Sequence, residues 1–181
     1  MGIHQTVKKK AVFLDRDGVI NRAIVLDGKP YPPTNMEELE ILPGVLESLK
    51  ILKSAGFLLI VVSNQPDVAK GKITQLFVES VNARLKEFLP IDQFRICYHA
   101  DEDGCSCRKP LPGLIMSAAR ELDIDLSRSV MIGDRWRDVE AGFSAGCKTF
   151  FINYGYLEKK PDQACIQVQS LAEACPLILS S

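Results

Sequence analysis

No apolar run in these 181 residues approaches the ~20 needed to span a bilayer, so a membrane-spanning helix is excluded. Neither charge is in excess: 22 Lys plus Arg stand against 23 Asp plus Glu, a formal net charge of −1. A chain so balanced lacks the broad basic face with which nucleic-acid binders grip phosphates. Internal repeats, low-complexity tracts and linker-like stretches are also missing, which predicts a single domain over residues 1–181. There is no secretory signal either. Lys8-Lys9-Lys10 leads into Ala11-Val12-Phe13-Leu14, but Asp15 ends that apolar run well short of the ~7–15 residues of an h-region. Residues 1–10 read as a solvated N-terminal tail. Met1-Gly2-Ile3-His4-Gln5-Thr6 also fits the loose N-myristoylation pattern, which is permissive enough to arise by chance.

What is present is an ordinary globular composition, 46% hydrophobic and 25% charged, in a chain long enough to bury a core without staples. Six cysteines without a secretory signal point to a reducing compartment and a cytoplasmic location, where clustered thiols are more often metal ligands than disulfides. Cys97, Cys105 and Cys107 fall within eleven residues, with His99 among them. Cys147, Cys165 and Cys175 are scattered and read as small buried apolar residues. Trp136 and the Phe150-Phe151 pair read as core or near-core packing.

The hydrophobic pattern alternates short apolar runs with helical periodicity. Strands are expected over residues 11–15, 57–62, 94–98, 130–132 and 148–153, with a weak sixth near 166–168. Between them, Val45, Leu49 and Leu52 keep helical spacing after Pro43-Gly44. Ile73, Leu76, Phe77, Val81, Leu85 and Phe88 line one face of a longer helix. Further helices are expected after Pro112, near 139–145 and from Leu171, and a polar, Pro-rich loop carries Pro30, Pro32 and Pro33. This alternation predicts an α/β fold, a doubly wound parallel sheet covered on both faces. Ligands in such sheets sit beyond the carboxyl ends of the strands. The polar residues gather there: Asp15 and Asp17 after the first strand, Ser63 after the second, Lys109 beyond the third and Asp134 after the fourth.

Asp15-Arg16-Asp17-Gly18 places two carboxylates two residues apart where a strand ends. A lone pair of this kind is usually two solvated acids in a turn. Here an apolar strand precedes it, Gly18 allows close backbone approach, and matching polar groups end the other strands. One carboxylate can act as a nucleophile and form an acyl-phosphate. The second can protonate the leaving oxygen and then activate water. Hard oxygen ligands such as Asp15 and Asp134 suit Mg²⁺, while Lys109 and the Ser63 hydroxyl would stabilise a phosphoryl group. Cys97, His99, Cys105 and Cys107 supply four N/S ligands, enough for a closed tetrahedral Zn²⁺ site; buried free thiols and a redox sensor are the alternatives.

Four segments, in order, resemble the motifs of haloacid-dehalogenase (HAD) superfamily phosphatases: Asp15-Arg16-Asp17-Gly18-Val19-Ile20-Asn21, Val62-Ser63-Asn64-Gln65, Arg108-Lys109-Pro110 and Ile132-Gly133-Asp134-Arg135. The resemblance runs from about Ala11 to Leu171. It is nearest to the heptose-1,7-bisphosphate 7-phosphatases and the related histidinol-phosphate phosphatases. It implies Asp15 as nucleophile and Asp17 as general acid/base. It implies Mg²⁺ held by the Asp15 carboxylate, the Asp17 backbone carbonyl and Asp134, with Ser63 and Lys109 on the phosphoryl group. Arg108, Asn64, Gln65 and Arg135 match positions that contact the substrate, and Asp138 is expected either behind the site or complementing a helix dipole. Zinc-bearing relatives carry the same C-x-H…C-x-C arrangement before Arg-Lys-Pro, where the zinc loop would aim Arg108 and Lys109 into the site.

Many relatives carry a large cap between the second and third motifs. Here one helix, one strand and the zinc loop fill that interval, so a HAD-like fold without a cap domain is expected. Its open cleft would be walled by residues 22–35 and the zinc loop. The implied activity is hydrolysis of a small phosphorylated molecule, a heptose bisphosphate or similar sugar phosphate. Histidinol phosphate is the alternative within the same class, and a polynucleotide 3′-phosphate is disfavoured by the charge balance. Arg22-Ala23-Ile24-Val25 and Pro66-Asp67 depart from the heptose enzymes in substrate-facing loops. A non-catalytic domain that accepts phosphate on Asp15 would do better without Asp17, whose presence favours turnover.

Overall fold

A computed structural model describes residues 7–180. Its centre is a six-stranded, wholly parallel sheet made of β1 (Lys10–Leu14), β4 (Phe57–Asn64), β5 (Gln93–Cys97), β6 (Val130–Gly133), β7 (Lys148–Ile152) and β8 (Ile166–Val168). These lie side by side in the order β5-β4-β1-β6-β7-β8. The order reverses between β1 and β6, and this is the switch point at which doubly wound sheets place their ligands. β1 is apolar throughout its inner residues because both faces are covered. Val12 and Leu14 join a core formed with α1 (Val45–Ser54), α2 (Gln75–Phe88) and α5 (Leu171–Leu179). Ala11 and Phe13 face the opposite core under α3 (Gly113–Leu122) and α4 (Trp136–Ala145). Among the described residues no helix is long and apolar enough to cross a membrane.

The expected strands and helices are all present, with four differences. First, residues 22–35 are not simply a loop: β2 (Ile24–Leu26) and β3 (Lys29–Tyr31) form an antiparallel hairpin. Its two-residue turn is Asp27-Gly28, with φ of 49° and 71°. Both central residues have positive φ, as the tight turn that matches strand twist requires, and Asp-Gly is among the pairs best suited to it. Second, α2 begins at Gln75 behind a Thr74 cap, leaving Ile73 outside. The face it buries is Val78, Val81, Asn82 and Leu85, while Leu76 and Phe88 are exposed. The expected face shares only Val81 and Leu85 with the buried one, which also takes in Val78 and the polar Asn82. Third, pairing starts inside the expected tail: Lys10 opens β1 and Lys9 bridges Ile124. The myristoylation pattern at residues 1–6 lies outside the described residues. Fourth, α4 starts at Trp136 and not near residue 139. Trp136 is half-buried, with the Arg137 guanidinium and the Lys159 ammonium both over its ring, rather than in the core. Phe150 and Phe151 are buried as expected. So are Cys147 and Cys175, whereas Cys165 is partly exposed.

Candidate active site

The carboxyl ends of β1, β4 and β6 meet at the switch point, and the chain places a polar residue at each. Asp15 follows β1, its N–H donating to the Ile132 carbonyl of β6 at 3.0 Å. Ser63 lies near the end of β4, and Asp134 immediately follows β6. Lys109 enters from the loop after β5. Its buried Nζ donates to Asp15 Oδ1 at 2.7 Å and to the Val62 carbonyl at 2.6 Å, and it pairs with Asp138 Oδ1 at 2.7 Å. Asn64 clamps the Lys109 backbone: its Oδ1 accepts from the Lys109 N–H at 3.0 Å and its Nδ2 donates to the Lys109 carbonyl at 2.9 Å. The lysine is thus fixed at both ends. The cleft above is lined by Asp15, Asp17, Ser63, Lys109, Arg135 and Asp138, with Pro30, Tyr31 and Pro32 of the hairpin forming one wall.

Asp17 is held from three directions. Arg16, almost wholly buried, directs Nε and Nη2 to the Asp17 carboxylate at 3.1–3.3 Å and Nη1 to Asn82 Oδ1 at 3.1 Å. Asn21 Nδ2 donates to Asp17 Oδ1 at 3.0 Å, and Gln65 Nε2 to Asp17 Oδ2 at 2.8 Å. Gln65 Nε2 also donates to Ser63 Oγ at 2.9 Å. Gln65 is fully buried, so it sits beneath the cleft and orients two of the groups in it; the structure does not give it a position from which to touch a substrate.

Asp15, Asp134 and Asp138 form a buried cluster whose oxygens approach within 4.8 Å of one another. One lysine faces three carboxylates. Burial, with repulsion from Asp138 and Asp17 added, pushes the Asp15 carboxyl up to about 6 against the pull of Lys109. Burial, then Asp15 and Asp138, also raises Asp134 well above the usual carboxylate range. For Lys109, burial alone would lower the ammonium, but Asp138 and Asp15 outweigh it and raise it. Asp134 Oδ2 accepts from the Tyr156 hydroxyl at 3.0 Å, while its Oδ1 is buried without a hydrogen-bond partner. An excess of negative charge with an orphaned hard oxygen fits a small divalent cation. Gly18 is required beside it: its φ is 95°, and a Cβ there would run into the Asp134 carboxylate.

A second cluster lies at the end of β5. Cys107 Sγ is 3.2 Å from Cys97 Sγ, 3.4 Å from Cys105 Sγ and 3.4 Å from His99 Nδ1, and Cys97 Sγ is 3.7 Å from Cys105 Sγ. A tetrahedron with Zn–S bonds of ~2.3 Å sets its sulfurs roughly 3.8 Å apart, so these atoms converge slightly more tightly than a bound ion would hold them. Three thiols and an imidazole around one point are a donor set that fits zinc. Burial pushes the Cys97 thiol up to about 12, so a thiophilic cation is what would hold a thiolate there. Between the ligands, a short turn at Asp101–Asp103 places Asp101 Oδ1 at 2.7 Å from Arg108 Nε and 3.3 Å from Arg137 Nη1.

A sequence model of HAD-hydrolase-like proteins matches residues 106–174. A D-glycero-beta-D-manno-heptose-1,7-bisphosphate 7-phosphatase from Helicobacter pylori is 38% identical over 175 residues, 93% of this chain and 97% of that protein. The chain belongs to the HAD-like phosphatases. A D-glycero-alpha-D-manno-heptose-1,7-bisphosphate 7-phosphatase from Campylobacter jejuni is 35% identical, covering 81% of this chain and 83% of that protein. Among solved structures, a D,D-heptose 1,7-bisphosphate phosphatase from Bordetella bronchiseptica, complexed with magnesium and phosphate, superposes with a TM-score of 0.81. It is 28% identical and covers 94% of this chain and 98% of its own.

In this HAD-like phosphatase the structure brings Asp15, Asp17, Ser63 and Lys109 together around one cleft, with Asp134 buried in a cluster with Asp15, and Cys97, His99, Cys105 and Cys107 around one point beside it. Arg135 lines the cleft, but its Nε donates to Glu158 Oε2 at 2.9 Å. Arg108 turns to Asp101 and donates to the His99 carbonyl at 3.3 Å; it is not among the residues lining the cleft. Sequence reading missed Arg16, Asn21 and Tyr156 as partners of the site, and Arg137 as part of the cleft lining. Asp138 proves to be the second acid on Lys109, and it also caps α4 by accepting from the Arg135 N–H at 3.0 Å. The one available signal was position: Asp138 lies in the first turn of a helix that opens at the strand ends.

Proposed function

We propose that this phosphatase removes the C7 phosphate of a D-glycero-D-manno-heptose 1,7-bisphosphate, with Asp15 as nucleophile and Asp17 as general acid/base. The observation that carries the chemistry is Asp15 at the end of the central strand, paired with Lys109 at 2.7 Å and sharing one cleft with Asp17. The substrate class is supported by relatives matched over nearly their full length.

An Asp15 carboxylate oxygen attacks phosphorus as the phosphorus–O7 bond breaks, giving an aspartyl phosphate. An alkoxide is a poor leaving group, so Asp17 delivers a proton to it. Asp17, now a carboxylate, takes a proton from water, which attacks phosphorus and releases phosphate with Asp15 restored. Lys109 and the Ser63 hydroxyl stabilise the phosphoryl oxygens. Asn64, through its two bonds to the Lys109 backbone, acts by positioning. Arg135 and Arg108 would meet the rest of the substrate, each by exchanging its carboxylate partner for a phosphate.

The Asp15 carboxylate, the Asp17 backbone carbonyl and Asp134 would hold Mg²⁺, which when bound offsets the charge of the cluster and of the phosphoryl group. The Cys97, His99, Cys105 and Cys107 set would hold structural zinc and fix the loop carrying Arg108 and Lys109. One zinc per chain is expected by elemental analysis. Chelation should lower the thermal midpoint and make residues 100–108 the first site of proteolysis. Zinc-free protein with an unchanged midpoint and an intact loop would remove that assignment.

The deciding experiment is phosphate release with Mg²⁺ from both anomers of the heptose bisphosphate, histidinol phosphate, hexose phosphates and a 3′-phosphorylated oligonucleotide. A heptose bisphosphate should be turned over far faster than the rest; preference for any other member overturns the substrate assignment. Asp17→Asn should cost about 10²–10⁴-fold in turnover with the fold kept. Asn21 Oδ1 and Gln65 Oε1 are buried without partners, so an amide flip of either side chain would supply an acceptor for the new NH₂.

A further inference from the structure

The segment after β7 makes four separate contacts around the site. Tyr154 donates its hydroxyl to the Gly18 carbonyl at 3.0 Å, and Tyr156 donates to Asp134 Oδ2 at 3.0 Å. The Leu157 N–H donates to the Gly28 carbonyl in the hairpin turn at 2.8 Å, and Glu158 accepts from Arg135 Nε at 2.9 Å. Of these contacts, Tyr156 to Asp134 bears most directly on chemistry. The terminal torsion of an aspartate is broad and only weakly quantised, so an unrestrained carboxylate offers its oxygens over a range of directions. A hydrogen bond to one oxygen sets the plane of the group and so aims the other. In Asp134 the other oxygen, Oδ1, is buried and unpartnered, and the Asp134 carboxylate belongs to the cluster with Asp15 and Asp138. No Cβ intervenes at Gly18, where one would collide with Asp134.

We infer that Tyr156 is a positioning residue for the cation site: its hydroxyl fixes Asp134 so that the free oxygen is held ready for a divalent metal ion. The inference rests on the magnesium reading above. Tyr156 supplies no ligand and touches no reacting atom. Its effect is preorganisation, since without the bond the carboxylate must be ordered when the metal arrives. Tyr154 makes a useful contrast. It belongs to the same segment, with its ring centroid 5.5 Å from that of Tyr156. Its hydroxyl meets a backbone carbonyl in a turn that the Gly18 N–H already ties to the Asn21 carbonyl at 2.7 Å.

The test is calorimetric titration of Mg²⁺ into zinc-loaded, full-length protein freed of Mg²⁺ by exhaustive dialysis without chelator, for the parent, Tyr156→Phe and Tyr154→Phe, with thermal melts recorded in the absence of Mg²⁺. The parent should bind Mg²⁺. Tyr156→Phe should bind it about 10–100-fold more weakly, the range typical for loss of a partner behind a metal ligand. Tyr154→Phe should stay near the parent value, and all three should melt alike without Mg²⁺. A parent that binds no Mg²⁺ defeats the magnesium reading itself. A parent that binds while Tyr156→Phe matches it defeats this inference alone, as does an equal loss in both variants. A melt lowered in Tyr156→Phe without Mg²⁺ assigns the residue to packing and overturns the inference as well.

Discussion

Asp15→Asn is expected to reduce phosphate release by about 10⁴-fold or more while leaving the protein folded. The amide is not a competent nucleophile, and loss of the nucleophile in an enzyme whose groups act as a unit removes most of its rate advantage. The fold should survive because the amide oxygen introduced at position 15 can still accept from Lys109 Nζ, which also keeps Asp138 and the Val62 carbonyl. One of three clustered carboxylates becomes neutral, so the thermal midpoint without added cation should equal or exceed the parent's. A continuous phosphate assay and a melt on the same preparation check both halves. Parent-like turnover would exclude Asp15 as nucleophile, whatever the melt shows.

Lys109→Met should act the other way, on stability as much as on rate. Among the described residues Lys109 is the one cation in contact with Asp15 and Asp138, with Asp134 in the same cluster, and it is almost wholly buried. Methionine replaces the stem at similar volume but removes the charge and leaves buried acids facing one another. Removing one partner of a buried ion pair typically costs about 3–5 kcal/mol, far more than a surface pair is worth. A urea titration should show the midpoint falling by a corresponding amount with an unchanged slope. Added Mg²⁺ should recover part of the loss, because a divalent cation would neutralise the same carboxylates. A midpoint within about 1 kcal/mol of the parent would mean that these acids are neutral in the folded state and that Lys109 does not compensate them.

The acids of this cluster also show where sequence reading succeeds. Asp15 and Asp134 each follow a run of apolar residues, and a buried parallel strand that ends in an acid announces both the strand and the rim of the site. The alternation of such runs with helical periodicity determined the sheet, its covering helices and which end would carry the chemistry. The spacing of Cys97, His99, Cys105 and Cys107 marked the second cluster, because those ligands are near neighbours in the chain. The hairpin at Asp27-Gly28, by contrast, reads as loop, because its strands are only three residues each and carry Lys29 and Pro30.

Only the tertiary structure decided which polar groups hold the rim in place. Arg16 reaches Asn82 across 66 residues, Gln65 reaches Asp17 across 48 and Tyr156 reaches Asp134 across 22. None of these pairs leaves a periodic trace, because hydrophobic periodicity records which side of a segment is buried and not what lies opposite it. What lies opposite follows from the strand order β5-β4-β1-β6-β7-β8, which brings the ends of β1, β4 and β6 side by side. There a buried arginine, a buried glutamine and a tyrosine hydroxyl become stable only by finding one another's partners.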